Sequence, residues 1–233
     1  MQAVLLAGGL ATRMRPFTDK IPKSLLDVAG RPFIDWLLEK LARSGFADVL
    51  LCVGRLGDQI RAHVGSGSRF GLRVAYSDEG DDQRGTAGAL RLALEMLEPE
   101  FLVTYGDSYL PFDYAAPKRA LAAHGDCDGV MSVYKNEGQW DASNVMTDGE
   151  WLLRYEKGTR DPAFDHIDYG AIALRREVIA AVPPGRVLGL DTIQHALAEA
   201  KRLRAFVARD RFFEIGSPEG LATLAQHLRD RKP

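Results

Sequence analysis

The sequence has only two cysteines, Cys52 and Cys127, and neither belongs to a C-x-x-C pair or to a Cys/His cluster. A zinc ribbon and a disulfide-stapled scaffold are therefore excluded. Cys52 lies in an apolar run, residues 49–53, and reads as a buried thiol suited to a reducing compartment, so a cytoplasmic location is expected. Long hydrophobic runs are missing too. The longest uncharged stretch, residues 1–12, is too short to span a bilayer, and Arg13 and Arg15 follow its apolar part rather than precede it. It fits neither a membrane helix nor a signal peptide, and no membrane partner is expected. An excess of one charge is also lacking, since 30 Lys+Arg against 32 Asp+Glu leave −2. No basic field exists to hold nucleic acid non-specifically, so any phosphate must be gripped locally.

What is present is a globular composition, 46% hydrophobic and 27% charged over 233 residues, enough for one large domain or two small ones. Apolar periodicity switches repeatedly between strand-like runs and helical stripes. The fold class this predicts is α/β: a mostly parallel, Rossmann-like sheet with helices on both faces. Strands are expected at residues 2–6, 48–53, 72–77, 101–105 and 129–134. Helices are expected at 32–44, where Phe33, Ile34, Leu37, Leu38 and Leu41 keep a core-facing spacing before Gly45, and around Leu90, Ala93, Leu94 and Leu97.

Beyond about residue 138 the texture shifts to short strand-like pieces at 144–147, 151–155, 171–174 and 203–208, which read as a small inserted lobe. Asp191 and Gln194 form a capping-box pattern at the start of a helix over 191–200. Pro218 opens a last helix with Leu221, Leu224, Ala225 and Leu228 on one face. With no linker or repeat, a single domain is expected, with a first part over about residues 1–137, the small inserted lobe over about 138–216 and a C-terminal helix at 217–230. The three tryptophans read as core, and the five scattered histidines as surface or satisfied-core residues.

The most informative stretch follows the first strand: Leu6-Ala7-Gly8-Gly9-Leu10-Ala11-Thr12-Arg13-Met14-Arg15-Pro16. Adjacent glycines let the backbone approach a ligand, and the N–H groups of such a turn form an anion-binding concavity. Arg13, Arg15 and Lys23 add cations beside it. A dinucleotide fingerprint fails, because the glycines are adjacent and the second strand ends in Cys52-Val53-Gly54 with no acid. A Walker A loop fails at Thr86, which stands where lysine belongs. Gly106-Asp107-Ser108-Tyr109-Leu110 lacks the last glycine of a nucleophile elbow. What remains is Asp107 at the carboxyl end of a hydrophobic strand, either an Asx turn or a candidate Mg²⁺ ligand.

These residues together resemble the sugar-1-phosphate nucleotidyltransferases. That family carries a glycine-rich L-A-G-G-x-G-T-R-[LM] loop followed by P-K. Here Leu6 to Met14 and Pro22-Lys23 match it except for Ala11, which replaces the third glycine. Gly85-Thr86-Ala87-Gly88-Ala89 resembles the segment lining the base pocket, and Gln83 precedes it. Asp107 matches the G-D metal aspartate, Glu156-Lys157 the E-K pair, and Asp168-Tyr169-Gly170 a sugar-contacting segment that is usually N-x-G. Phe213-Glu214-Ile215-Gly216-Ser217 resembles W-x-D-x-G-[ST], with Glu214 in place of the second metal aspartate. The resemblance covers roughly residues 1–228, so no fused acyltransferase or regulatory domain is expected within them.

The resemblance implies Mg²⁺-dependent transfer of a nucleoside monophosphate from a nucleoside triphosphate to a sugar 1-phosphate, releasing pyrophosphate. It leans to GTP or UTP with a heptose, mannose or amino sugar. It implies that Arg13, Lys23 and Asp107 are catalytic, and that Leu6, Ala7, Gly8, Gly9, Arg13, Lys23, Gln83, Gly85, Thr86 and Gly88 bind the nucleotide. Asn144, Glu156, Lys157, Asp168 and Gly170 would bind the sugar phosphate, and Asp107 and Glu214 the metal. Two other readings stay open: cytidylyl transfer to a small phosphorylated alcohol or amine, and a non-catalytic nucleotide-sugar-binding subunit. A homo-oligomer is also left open.

Overall fold

The structure is a computed structural model that describes residues 1–9, 14 and 16–230. Along the chain run β1 (Gln2–Leu6), β2 (Asp27–Val28), β3 (Arg31–Pro32), α1 (Phe33–Arg43), β4 (Asp48–Val53), α2 (Gly57–Val64) and β5 (Arg73–Asp78). Then come α3 (Gly85–Leu92), β6 (Glu100–Tyr105), β7 (Ser108–Tyr109), α4 (Ala115–Ala123), β8 (Gly129–Lys135), β9 (Val145–Thr147) and β10 (Leu152–Tyr155). The order closes with β11 (His166–Arg175), α5 (Arg176–Ala180), α6 (Leu190–Glu199), β12 (Leu203–Ala208), β13 (Phe213–Glu214) and α7 (Pro218–Asp230). The α/β class expected from periodicity is what the chain adopts.

Two compact units emerge. The first comprises Met1–Gln83, Thr104–Leu110 and Phe212–Pro233; the second comprises Arg84–Val103 and Pro111–Arg211. These bounds follow spatial contacts, and they cut the chain differently from a linear division at residue 137.

In the first unit β1 pairs parallel with β4, from Gln2 opposite Asp48 to Leu6 opposite Cys52, and β4 pairs parallel with β5. Parallel strands carry near-continuous apolar runs because both faces are covered, and Ala3, Val4, Leu5, Leu50 and Leu51 are fully buried. The stripe on α1 buries Phe33, Ile34, Leu37, Leu38 and Leu41. The Trp36 indole donates to the Val28 carbonyl at 2.9 Å, which ties α1 to β2. A short antiparallel ladder pairs β13 with β7, setting Phe213 opposite Tyr109 and Glu214 opposite Ser108. Helix α7 buries Leu224, Ala225 and Leu228, and the Phe213 ring lies 4.2 Å from the His227 ring, centroid to centroid.

In the second unit β8 is central, parallel to β12 and antiparallel to β11. Strands β9 and β10 form an antiparallel pair, and His166 of β11 lies opposite Val145 of β9. The β11–β8 register shifts between Asp168 and Ile172, and Gly170 within that bulge takes φ +95°. A glycine inside an otherwise apolar strand marks such a bulge.

Several expectations need correction. The helix expected through Leu97 stops at Leu92, and Leu94–Met96 is a separate 3-10 turn. Helix α6 starts at Leu190 with Gly189 as its N-cap and no side-chain cap bond, so Asp191 and Gln194 do not form a capping box. Gln194 is buried instead, and the Leu190 N–H is taken by the Thr86 hydroxyl at 2.7 Å. Trp140 is not core: it is 47% exposed, with the Arg211 guanidinium over its ring at 3.7 Å. Helices α2 and α4 are short and rich in alanine, charge or glycine, so their periodicity is weak in the sequence. Among the described residues no helix is long and apolar enough to cross a membrane.

Leu38 is fully buried on the central face of α1. Its truncation to alanine is expected to cost about 2–5 kcal/mol, read as a lower urea midpoint at unchanged m-value.

Candidate active site

The parallel strands of the first unit end together, and glycines let them do so. The Ala7 N–H donates to the Cys52 carbonyl at 2.8 Å, and the Gly106 N–H donates to the Leu6 carbonyl at 2.8 Å. A Cβ on Gly106 would sit 3.0 Å from the Leu6 oxygen and 3.1 Å from the Ala7 Cβ. A Cβ on Gly8 would lie 2.6 Å from Glu79 Oε1 and 3.3 Å from the Gly54 nitrogen, whereas one on Gly9 would meet nothing within 4 Å. Gly8 thus packs closely against the Glu79 carboxylate and the Gly54 backbone, and Gly9 faces open space among the described residues. Leu6 and Ala7 carry the strand into this turn. Arg13 and Ala11 lie outside the described residues.

Lys23 opens a 3-10 turn after Pro22, and its Nζ donates to Asp107 Oδ2 at 2.8 Å. The lysine side chain is 13% exposed and the aspartate 38%. Ser108 Oγ donates to Asp107 Oδ1 at 3.2 Å, so both carboxylate oxygens are held. The Ile215 N–H donates to the Asp107 carbonyl at 3.0 Å. Asp107 therefore stands beside the β7–β13 ladder that carries the exposed Glu214. The structure brings Gly8, Lys23, Asp107 and Glu214 into one unit, and it adds Glu79, whose carboxylate lies against Gly8. Nothing in the sequence marked Glu79, because its proximity arises from the parallel pairing of β4 with β5.

The two carboxylates supply only hard oxygen donors. That fits Mg²⁺, which takes one or two protein carboxylates and completes its shell with water and phosphate oxygens. It does not fit zinc, which prefers nitrogen and sulfur. Among the described residues no group of three or more His, Cys, Asp or Glu is arranged as a metal cage.

Gln83 is exposed at the end of the first unit's long segment. Gly85, Thr86 and Gly88, in the second unit, wrap around Leu188. The Leu188 carbonyl accepts from the Ala87 and Gly88 N–H groups at 3.0 and 3.1 Å. A Cβ on Gly85 would lie 2.5 Å from the Leu188 oxygen, and Gly85 has φ +71°. This segment is shaped by its own fold before any ligand is considered.

The second unit gathers the expected sugar-phosphate residues. The Asp168 N–H donates to Asn144 Oδ1 at 2.8 Å, and the Glu156 N–H donates to the Asn144 carbonyl at 2.9 Å. The Gly170 N–H donates to Asp168 Oδ1 at 2.9 Å across the bulge, and Gln194 Nε2 donates to Asp168 Oδ2 at 3.1 Å. Burial pushes the Asp168 carboxyl above its ordinary value, opposed by those two donors and by the nearby charge of Lys157. Tyr155 is pushed up as well, by burial first and then by the charges of Asp168 and Asp191. Lys157 is exposed, and the neighbouring Glu156 carboxylate takes Arg154 at 3.1 Å.

Comparison with known proteins follows this geometry. A family model described as nucleotidyl transferase matches residues 2–231. An N-acetylmuramate alpha-1-phosphate uridylyltransferase of Neisseria meningitidis serogroup B is 44% identical over 117 residues, covering 50% of this chain and 51% of that protein. A protein of the same name from Caulobacter vibrioides is 29% identical over 237 residues, covering 97% of this chain and 96% of its own. The solved structure of HddC from Yersinia pseudotuberculosis complexed with GMP-PN is 26% identical, with TM-score 0.76, covering 97% of this chain and 99% of that one. The chain spans about half the length of the curated relatives it matches first, 51% and 52%.

Burial, and after it the charge of Glu79, pushes the Cys52 thiol up to about 12, and burial also raises Cys127. Both thiols therefore stay protonated at neutral pH, and thiolate is the reactive form. Iodoacetamide at pH 7.5 should leave both unmodified in the folded protein and label both in denaturant, as read by intact mass.

Proposed function

The chain belongs to the nucleotidyl transferase family, and on that premise we propose that it transfers a nucleoside monophosphate from a nucleoside triphosphate to a sugar 1-phosphate. The observation that carries this reading is the Lys23–Asp107 pair, 2.8 Å apart, beside the ladder bearing Glu214 and in the same unit as the glycine turn. A cation and two acids next to a backbone that a ligand can approach suit a triphosphate. No protein nucleophile is required.

A phosphate oxygen of the sugar attacks the α-phosphorus and forms a new P–O bond. The bond from the α-phosphorus to the bridging oxygen breaks, and pyrophosphate leaves with that electron pair. Both reactants are anionic, so catalysis consists of alignment and charge stabilisation. The Gly8 and Gly9 backbone receives the outer phosphates, with Leu6 and Ala7 directing the turn. Lys23 braces the α-phosphate, and Arg13 stabilises charge building on the leaving pyrophosphate. Gln83, Gly85, Thr86 and Gly88 serve the base. Lys157 neutralises the sugar phosphate, while Asn144, Glu156, Asp168 and Gly170 orient the sugar. Mg²⁺, held by Asp107 and Glu214, supplies neutralisation and orientation of phosphate oxygens when bound.

The substrates we assign are UTP and an acidic amino-sugar 1-phosphate of the N-acetylmuramate type. The names of the Neisseria and Caulobacter relatives support this choice. The two free, buried thiols support a cytoplasmic setting.

Pyrophosphate release with Mg²⁺ should be highest for UTP with N-acetylmuramate α-1-phosphate, in a panel that also contains GTP, dTTP and CTP against mannose, glucose and heptose 1-phosphates and phosphocholine. Lys23→Met and Asp107→Ala should each lower kcat/KM by about 10²–10³ with the fold intact by circular dichroism. Release with CTP and phosphocholine alone would move the activity to another acceptor class, and no release with any pair would leave a binding subunit.

A further inference from the structure

Gln194 is 1% exposed on α6, in a helix whose other inward side chains are apolar or small. An amide placed there costs stability unless its atoms are paired. Its Nε2 donates to Asp168 Oδ2 at 3.1 Å and lies 3.7 Å from the Met131 sulfur, while its Oε1 has no partner. A leucine at this position would fill the same space without that cost. The pairing with Asp168 is what distinguishes the residue.

The hydrogen bonds continue from there. Asp168 is fixed on its other oxygen by the Gly170 N–H, and its own N–H holds the Asn144 amide oxygen. The Asn144 backbone is clamped on both sides, its N–H donating to the His166 carbonyl and its carbonyl accepting from the Glu156 N–H, each at 2.9 Å. Next to Gln194 on the same helix, His195 Nδ1 meets the Tyr155 carbonyl at 2.8 Å. A carbonyl only accepts, so Nδ1 carries the proton. Helix α6 thus holds the Tyr155–Glu156 peptide from both ends, its carbonyl directly through His195 and its N–H through Asp168 and Asn144.

We propose that Gln194 is a positioning residue for the acceptor site: its amide fixes the Asp168 carboxylate, and through the Asp168 backbone and Asn144 it fixes the turn that carries Glu156 and Lys157. The inference rests on the proposed function for the chemistry of the acceptor and deepens it by naming what sets the acceptor's grip. The charge of Lys157 acts on Asp168, and the charges of Asp168 and Asp191 both act on Tyr155. None of Lys157, Tyr155 and Asp191 donates to the carboxylate oxygen that Gln194 holds.

The test uses the full chain. Gln194→Met keeps the volume and removes the donor, and it should raise KM for the sugar 1-phosphate about tenfold while KM for the triphosphate stays within about twofold. Q194E sets two buried carboxyls against each other and should lose more. The exchanged pair D168N/Q194E again places one amide against one carboxylate and should recover most of the loss relative to Q194E. A folded Q194M with unchanged sugar KM overturns the proposal, as does an exchanged pair no better than Q194E. Should Q194M not fold, the exchanged pair decides, since restored folding and KM support the proposal and failure to restore either overturns it.

Turnover is not needed to read the Gln194–Asp168 bond. With ¹³C-labelled aspartate, assigned by D168N, the Asp168 carboxyl should titrate at higher pH in Q194M than in wild type, because the lost N–H favoured the charged form. An unmoved midpoint overturns the inference. A wild-type chain that releases no pyrophosphate with any pair overturns the proposed function instead.

Discussion

A lysine ammonium held against an aspartate 84 residues away is the constraint around which the first unit is arranged. Lys23 has little access to water, so its charge needs a partner, and Asp107 supplies one while remaining more open itself. Every segment that reaches the pair is fixed by backbone bonds of its own. Asp107 follows Gly106, which is bonded to Leu6, and its carbonyl is bonded to Ile215. Lys23 sits on a tight turn primed by Pro22. The ion pair is consequently placed by a 3-10 turn on one side and by the end of a hydrophobic strand on the other.

The glycines carry a second lesson about the same region. A sequence reading assigns Gly8 and Gly9 to phosphate approach as a pair. Gly8 packs against Glu79 and Gly54, and Gly9 has open space among the described residues where a side chain would be. Adjacent glycines in one turn therefore do different work, one closing the packing between strands and the other leaving room. Gly54 and Gly106 share the first task, and neither belongs to the recognised loop. Close approach between parallel strand ends is a tertiary requirement, and it leaves no local pattern for a single sequence to display.

What was legible follows from the range over which each signal acts. Apolar runs bounded by turns match the strands 2–6, 48–53 and 203–208 at their observed limits, and in the first two the interior is buried on both faces. The stripe of α1 and the Pro218 start of α7 were legible for a similar reason. The capping pattern at Asp191 and Gln194 failed where a tertiary partner outcompeted a local one. Thr86 supplies the oxygen for the Leu190 N–H, and Gln194 turns inward to Asp168. Trp140 failed because an aromatic face can be covered by a guanidinium as well as by the core. Of the candidate site, the motifs pointed to Lys23, Asp107 and Glu214, which the fold places in one unit, whereas Glu79 and the α6 contribution depend on pairing that only the folded chain reveals.

Asp168 shows why the acceptor lobe needs so much scaffolding. A carboxylate largely shielded from water is disfavoured against its neutral form, and here two neutral N–H donors and one exposed lysine oppose that tendency. The usual asparagine of the resembling segment would carry no such penalty, so an aspartate is worth its desolvation only where its charge or its second acceptor oxygen is used. The β11 bulge delivers one N–H from Gly170, and α6 delivers the other from Gln194. These donors come from elements far apart in sequence and act on opposite oxygens, which leaves the carboxylate a single orientation. Orientation is the property an acceptor site requires, because a phosphate gripped by a flexible lysine has its charge satisfied but its direction undefined. Under the proposed function, fixing the turn that bears the exposed Lys157 through the Asp168 carboxylate would give that cation a defined position.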